Sequence, residues 1–137
     1  MAVERTLIIL KPDAVKRKLC GEIIRRIENK GLDIVGLKMT TIPLATAEKH
    51  YAEHAGKGFF KDLVSFMTGS PVVLLVVQGD EVIGLMRTLM GKTKFTDAAP
   101  GTIRGDYAYS FTENLIHGSD SPESAAREIA LFFPELK

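Results

Sequence analysis

Hydrophobic residues along the chain fall in runs whose period changes from segment to segment, and each period predicts an element. Thr6–Leu10 is a short continuous apolar run rich in isoleucine, as expected of a central strand. Glu22–Lys30 places Ile23, Ile24 and Ile27 on one helical face, and Gly31 is suited to close that helix. From Ile34 to Ile42, Val35, Leu37 and Met39 alternate with Gly36, Lys38 and Thr40, the pattern of a half-buried strand. Thr46 is placed to cap a helix with Tyr51 and Ala55 on one face, and Phe60–Thr68 repeats Phe60, Leu63, Val64 and Met67 as a second short helix. Gly69-Ser70-Pro71 introduces Val72–Val77, a strand predicted to be buried on both faces. Asp80 is placed to cap a helix bearing Val82, Ile83, Met86, Leu89 and Met90, ended by Gly91. Lys92–Asp106 reads as a polar loop, and Leu115–His117 as a short strand. Ser121 caps a last helix, with Pro122 at its first position, where proline costs no hydrogen bond, and Ala125, Ile129, Phe132 and Phe133 on its buried side.

Setting aside the helix pair between the second and third strands leaves the order β-α-β-β-α-β, the ferredoxin-like arrangement of the α+β class. A four-stranded antiparallel sheet with helices on one face is the packing this order predicts. No repeat, low-complexity stretch or Pro/Gly/Ser linker interrupts residues 1–137, so a single domain is expected.

Composition narrows the function classes. With 18 basic and 17 acidic side chains the formal net charge is +1, which makes no global case for nucleic acid or membrane binding. Cys20 is the single cysteine, so no internal disulfide and no cysteine-based metal cluster can form. The longest apolar run, Val72–Val77, is far too short to span a bilayer, and the apolar run near the start is too short for a signal peptide. A cytoplasmic protein is expected.

Four features carry possible chemistry. His50-Tyr51-Ala52-Glu53-His54 matches H-x-x-E-H, a pattern able to bind zinc, but three fixed positions recur often by chance and a solvated helix face is the commoner meaning. Gly91-Lys92-Thr93 resembles the end of a phosphate-binding loop. The full pattern needs a glycine at the position of Met86 and a preceding strand, so that reading fails, although Lys92, Thr93 and Lys94 could still meet phosphate. His117 leaves a short apolar strand and is followed by Gly118, Ser119 and Asp120. A partly buried core histidine is the usual meaning of such a placement. Against it, a neutral imidazole is a competent nucleophile near neutral pH, Ser119 and Asp120 are placed to orient it or nearby water, and Glu128 in the next helix could return to the same pocket. Finally, Lys11, Arg87 and Arg104 each stand close to a backbone break. Singly they read as solvated charges; together they suit a polyphosphate, because phosphoryl transfer depends on positioning and charge neutralisation.

Taken in order, these segments resemble the nucleoside diphosphate kinase family from Glu4 to Phe133. The most specific stretch is Asn114-Leu115-Ile116-His117-Gly118-Ser119-Asp120. It is supported by Lys11-Pro12-Asp13, Phe59-Phe60, Gly69-Ser70-Pro71, Pro100 to Asp106 and Ser121 to Ala125. The resemblance implies an enzyme that moves the γ-phosphoryl group of a nucleoside triphosphate, mainly ATP, to a nucleoside diphosphate by a ping-pong route with Mg²⁺. It implies that His117 is phosphorylated at Nδ1, that Glu128 holds the other ring nitrogen, and that Ser119 and Tyr51 complete the catalytic group. It assigns the nucleotide's phosphates to Lys11, Arg87, Thr93 and Arg104, the ribose to Asn114 and Lys11, and the base to the face of Phe59. By the same resemblance, the H-x-x-E-H helix meets the site through Tyr51 rather than His50 or His54. Phe95 stands where many members have proline, in a loop that often joins subunits. Phe111 takes a usually aliphatic position that can face the base. A homo-oligomer is implied, and the short C-terminus tilts the expectation from hexamer to tetramer. The competing classes are a non-catalytic nucleotide-binding module, which needs neither His117 nor Glu128, and a zinc hydrolase built on His50, Glu53 and His54.

Overall fold

A computed structural model describes residues 3–111 and 113–136. Its strands are β1 (Val3–Leu10), β2 (Asp33–Thr40), β3 (Val72–Asp80) and β4 (Ile116–Gly118). The helices are α1 (Pro12–Lys16), α2 (Cys20–Asn29), α3 (Leu44–His50), α4 (Phe60–Thr68), α5 (Val82–Met90), α6 (Ile103–Tyr107) and α7 (Pro122–Phe132). The four strands form one antiparallel sheet in the order β2-β3-β1-β4, which is the ferredoxin-like topology.

The two central strands alternate between two cores. Ile8, Leu10, Val73, Leu75 and Val77 point to one face, against Ile23 and Ile27 of α2 and Val82, Ile83, Met86 and Met90 of α5. Leu7, Ile9, Val72, Leu74 and Val76 point to the other, against Ala47, Val64 and Met67 of the α3–α4 pair and Phe132 and Phe133. Burying a Leu, Ile or Val side chain contributes about 1.5–3 kcal/mol, so strands apolar on both sides demand cover on both. This corrects the expectation of helices on one face. The α3–α4 insertion and the C-terminal residues supply the second layer.

Local differences from the sequence-based elements have physical causes. Pro43, in extended conformation, precedes α3, and its carbonyl accepts the Ala47 N–H at 3.0 Å, so Thr46 lies inside the helix instead of capping it. The helix ends at His50, and Ala52–His54 form a separate 3₁₀ turn, so Tyr51 and Ala55 do not share a helical face. Asp80 stays in β3 because it is still opposite Val3 in the ladder, and Glu81 turns the chain with φ of 52°. The polar loop from Lys92 contains α6, capped by the Thr102 hydroxyl, which accepts the Gly105 N–H at 3.0 Å. α1, which was not anticipated, begins at Pro12.

β2 departs most. A bulge between Ile34 and Gly36 places Val35 and Gly36 toward the same core, where a Cβ on Gly36 would lie 3.1 Å from the Phe133 ring. Lys38 then covers that ring, with Nζ 4.4 Å from its centroid and 3.1 Å from Glu135. Leu37 and Met39 are turned outward on this edge strand and are 56% and 60% exposed. No helix among the described residues is long and apolar enough to cross a membrane.

Candidate active site

The site grows from the C-terminal end of β1 and the short strand beside it. Pairing of β1 with β4 sets Ile9 opposite His117 and Leu10 opposite Ile116. At Lys11 the chain leaves the sheet, and its N–H still reaches the Leu115 carbonyl at 2.8 Å. The Lys11 ammonium donates to Asn114 Oδ1 at 2.7 Å, which brings two residues far apart in sequence to one wall. Burial, then the nearby Arg104 charge, lowers the Lys11 pKa to about 8, although Asp13 pulls the other way.

His117 is held from behind. Its Nε2 lies 3.0 Å from Glu128 Oε1, on the second turn of α7. Ser119 Oγ donates to the same carboxylate oxygen at 2.7 Å and accepts the Leu7 N–H at 3.2 Å, which ties Glu128 to the central strand. Burial pushes the Glu128 carboxyl up, but the hydrogen bond from His117, the electrostatic pull of that ring and the hydrogen bond from Ser119 outweigh it and hold the pKa below the ordinary value. An ionised carboxylate can only accept, so Nε2 of His117 carries the proton and donates. That tautomer leaves Nδ1 with a free lone pair.

The cations approach from α5 and α6. Arg87, in the last turn of α5, donates to the Gly118 carbonyl at 3.4 Å. Arg104 is buried and donates to the carbonyls of Gly91 at 2.9 Å and Ile116 at 2.5 Å, which pins the end of α5 to β4. Burial, then the Arg87 charge, lowers its pKa to about 10, so it remains cationic at neutral pH. Gly91, with φ of 86°, lets the chain pass under Thr102, since a Cβ there would sit 2.5 Å from the Thr102 hydroxyl.

These groups surround a cavity of about 390 Å³, lined by Lys11, Tyr51, Arg87, Thr93, Arg104, Asn114, His117 and Glu128 among others. Burial, then the Glu128 charge, raises the Tyr51 phenol pKa far above its usual value, so it keeps its proton. Of the residues named from the sequence, Ser119 sits behind the wall, and Phe59 does not line the cavity. The Phe59 ring is 51% exposed, with its centroid 5.3 Å from that of His54, which does line it. Phe95 and Phe111 touch each other, ring centroids 4.8 Å apart.

A family model described as nucleoside diphosphate kinase matches residues 4–137. The chain belongs to the nucleoside diphosphate kinase family. It is 58% identical over 131 residues to a nucleoside diphosphate kinase of Rubrobacter xylanophilus, covering 96% of this chain and 98% of that one. It is similar to the nucleoside diphosphate kinase of Halobacterium salinarum solved in complex with CDP, with a TM-score of 0.93 and 51% identity over 96% of this chain and 88% of that one. The Aquifex aeolicus nucleoside diphosphate kinase gives a TM-score of 0.93 at 41% identity, with 96% of each chain covered.

One expectation fails within this family frame. His50, Glu53 and His54 all line the cavity with Tyr51, so the H-x-x-E-H segment does not meet the site through Tyr51 alone. Nor do those three converge as a metal set. Among the described residues, the single group of three or more His, Cys, Asp or Glu ligand atoms is His50, His117 and Glu128. Reasoning from sequence also missed Asp13, whose carboxylate accepts the Leu115 N–H at 3.0 Å. Its place in Lys11-Pro12-Asp13 was the available signal.

Proposed function

We propose that the chain transfers the γ-phosphoryl group of a nucleoside triphosphate to a nucleoside diphosphate in two half-reactions through His117. In the first, the Nδ1 lone pair attacks the γ-phosphorus. The bond from that phosphorus to the β,γ-bridging oxygen breaks, and its electron pair leaves with the diphosphate. In the second, a terminal oxygen of another nucleoside diphosphate attacks the phosphorus, and the N–P bond returns its pair to Nδ1. The supporting observation is the pairing of His117 Nε2 with Glu128 at 3.0 Å, in a cavity that also holds Lys11, Arg87 and Arg104.

Each residue has a task in this reading. Glu128, steadied by Ser119, keeps the ring turned and stabilises the positive charge that develops on it when Nδ1 attacks. Lys11, Arg87 and Arg104 neutralise the polyphosphate, which is where most of the rate of phosphoryl transfer arises. Thr93 adds a hydroxyl donor, Asn114 together with Lys11 meets the ribose, and Tyr51 forms the wall beside the imidazole. Exposed Phe59 offers a face to the base, and stacking on a phenyl ring discriminates poorly among bases.

The residues fit Mg²⁺ as a passenger on the nucleotide rather than a resident ion. Mg²⁺ prefers oxygen ligands, and the clustered donor set here includes two imidazoles, leaving Asp120 and Glu53 as the outward carboxylates of the cavity. We also read the chain as a cytoplasmic homo-oligomer, a tetramer in preference to a hexamer. The outward Leu37 and Met39 on the β2 edge favour assembly.

Incubation with γ-labelled ATP tests the mechanism. Acid-labile, alkali-stable label should appear on the protein and vanish in His117→Ala. An unlabelled wild-type protein would return the chain to the class of non-catalytic nucleotide binders.

A further inference from the structure

His50 has no task in the transfer just described, yet it is placed as if it had one. It is 7% exposed, lines the cavity, and its Nδ1 is buried without a hydrogen-bond partner. Its ring meets that of His117 edge to face, with centroids 5.0 Å apart and planes at 89°. His50, His117 and Glu128 each present one ligand atom, all within 4.8 Å of one another. A buried imidazole nitrogen with no partner costs free energy unless something satisfies it.

We propose that His50, His117 and Glu128 form a chelating site for a borderline divalent cation of the Zn²⁺ type, and that an ion bound there withdraws His117 from phosphoryl transfer.

The donor set selects the class of ion. Two imidazole nitrogens and one carboxylate oxygen suit zinc with a fourth position open, whereas Mg²⁺ and Ca²⁺ take oxygen shells. Zinc ligands at about 2.0–2.2 Å stand roughly 3.3 Å apart in a tetrahedron; His117 Nε2 and Glu128 Oε1 already lie 3.0 Å apart, and side-chain rotations must adjust a set now spread within 4.8 Å. Each imidazole must offer a bare nitrogen; an ion taken up between His117 Nε2 and Glu128 displaces the proton they share to solvent or to Nδ1, and on Nδ1 it occupies the lone pair the transfer needs. Burial, then the nearby His117, lowers the His50 pKa to about 4, so the His50 ring is neutral at neutral pH. Lys11, Arg87 and Arg104 share the cavity and oppose a further cation, which makes this site weaker than an all-protein structural zinc site. His50 is the first residue of the H-x-x-E-H pattern, but its partners come from β4 and α7 instead of Glu53 and His54. The binding claim stands on geometry alone; the loss of transfer rests also on the reading of His117 as the nucleophile.

Zinc titration of the nucleotide-free protein tests both parts. Calorimetry should show one Zn²⁺ per chain, with affinity at least tenfold weaker in His50→Gln and in Glu128→Gln and unchanged in His54→Gln. Ring ¹⁵N resonances of the wild type provide a reading that needs no variant: those of His50 and His117 should move on adding Zn²⁺ while those of His54 stay. With excess Mg²⁺, one equivalent of Zn²⁺ should slow covalent labelling of the wild type. Movement of the His54 resonances in place of His50, or equal weakening in His54→Gln, would assign zinc to the surface pattern and overturn the site. No resonance shift with saturating Zn²⁺ would overturn it too. Zinc binding at His50 and His117 in a protein that ATP never labels would leave the site standing and sink the kinase mechanism alone.

Discussion

The carboxylate of Asp13 accepts the backbone N–H of Leu115 at 3.0 Å, and Leu115 holds a left-handed conformation with φ of 79°. A non-glycine residue in that region costs about 1–2 kcal/mol, so something must hold it. Asp13 does so from one side, and the Lys11 N–H, bonded to the Leu115 carbonyl, does so from the other. The bend lies between Asn114 and the strand that carries His117, so the first turn after β1 shapes the site.

Asp13→Ala should therefore destabilise the protein by about 1–3 kcal/mol, the cost of an unsatisfied buried N–H. Asp13→Asn keeps an acceptor oxygen and should lose less. Urea unfolding compares the two, and equal losses would show that the hydrogen bond is not what holds the bend.

Arg104 and Arg87 should separate by stability. Arg104 braces two carbonyls from a buried position, while Arg87 makes one long contact at 3.4 Å. Both alanine variants should lose at least ~10² in kcat, as when a transition-state donor is removed. Arg104→Ala should also lose about 2 kcal/mol or more, since hydrogen bonds to a charged group contribute about 1.5–3 kcal/mol each. Steady-state kinetics and denaturation midpoints on the same preparations check the pair.

The pKa of Lys11, near 8, sets an alkaline limit. The side chain is cationic below that value and neutral above it, so phosphate attraction is lost as pH rises. Because kcat/KM reports the free enzyme, it should fall about tenfold from its plateau by pH 9. In Lys11→Arg, which stays charged, the slope should flatten whatever the plateau. A wild-type profile flat to pH 9.5 would show that Lys11 stays charged there, and Lys11→Met with an unchanged plateau would remove it from phosphate binding.

Leu37 and Met39, 56% and 60% exposed, each leave on the order of 1–2 kcal/mol of burial unrealised in the isolated chain, which a second copy would recover. Light scattering should find an oligomer, and Leu37→Lys with Met39→Lys should shift it to smaller species. An unchanged mass in the double variant would place the subunit contact elsewhere.

Much of this molecule is legible in one dimension. Apolar runs over Thr6–Leu10 and Val72–Val77 marked the two central strands, and Ser121-Pro122 marked the start of α7 to the residue. The Asn114–Asp120 stretch marked the family and singled out His117. Periodicity records which face of a segment is apolar, and motif spacing records local chemistry, so both survive without coordinates. Neither records what a face will meet. One extra residue at the β2 bulge sent Leu37 and Met39 outward, against the alternation that predicted them half buried. Covering a sheet apolar on both sides required a second layer that pattern alone had assigned to one. His50 read as a surface histidine on a chance motif, and only packing against Phe132 and His117 buried it. Long-range contacts decide burial, and burial sets the pKa of Lys11, the charge state of His50 and the pairing of Glu128. The identity of the chemistry was written locally, and its tuning was decided by the fold.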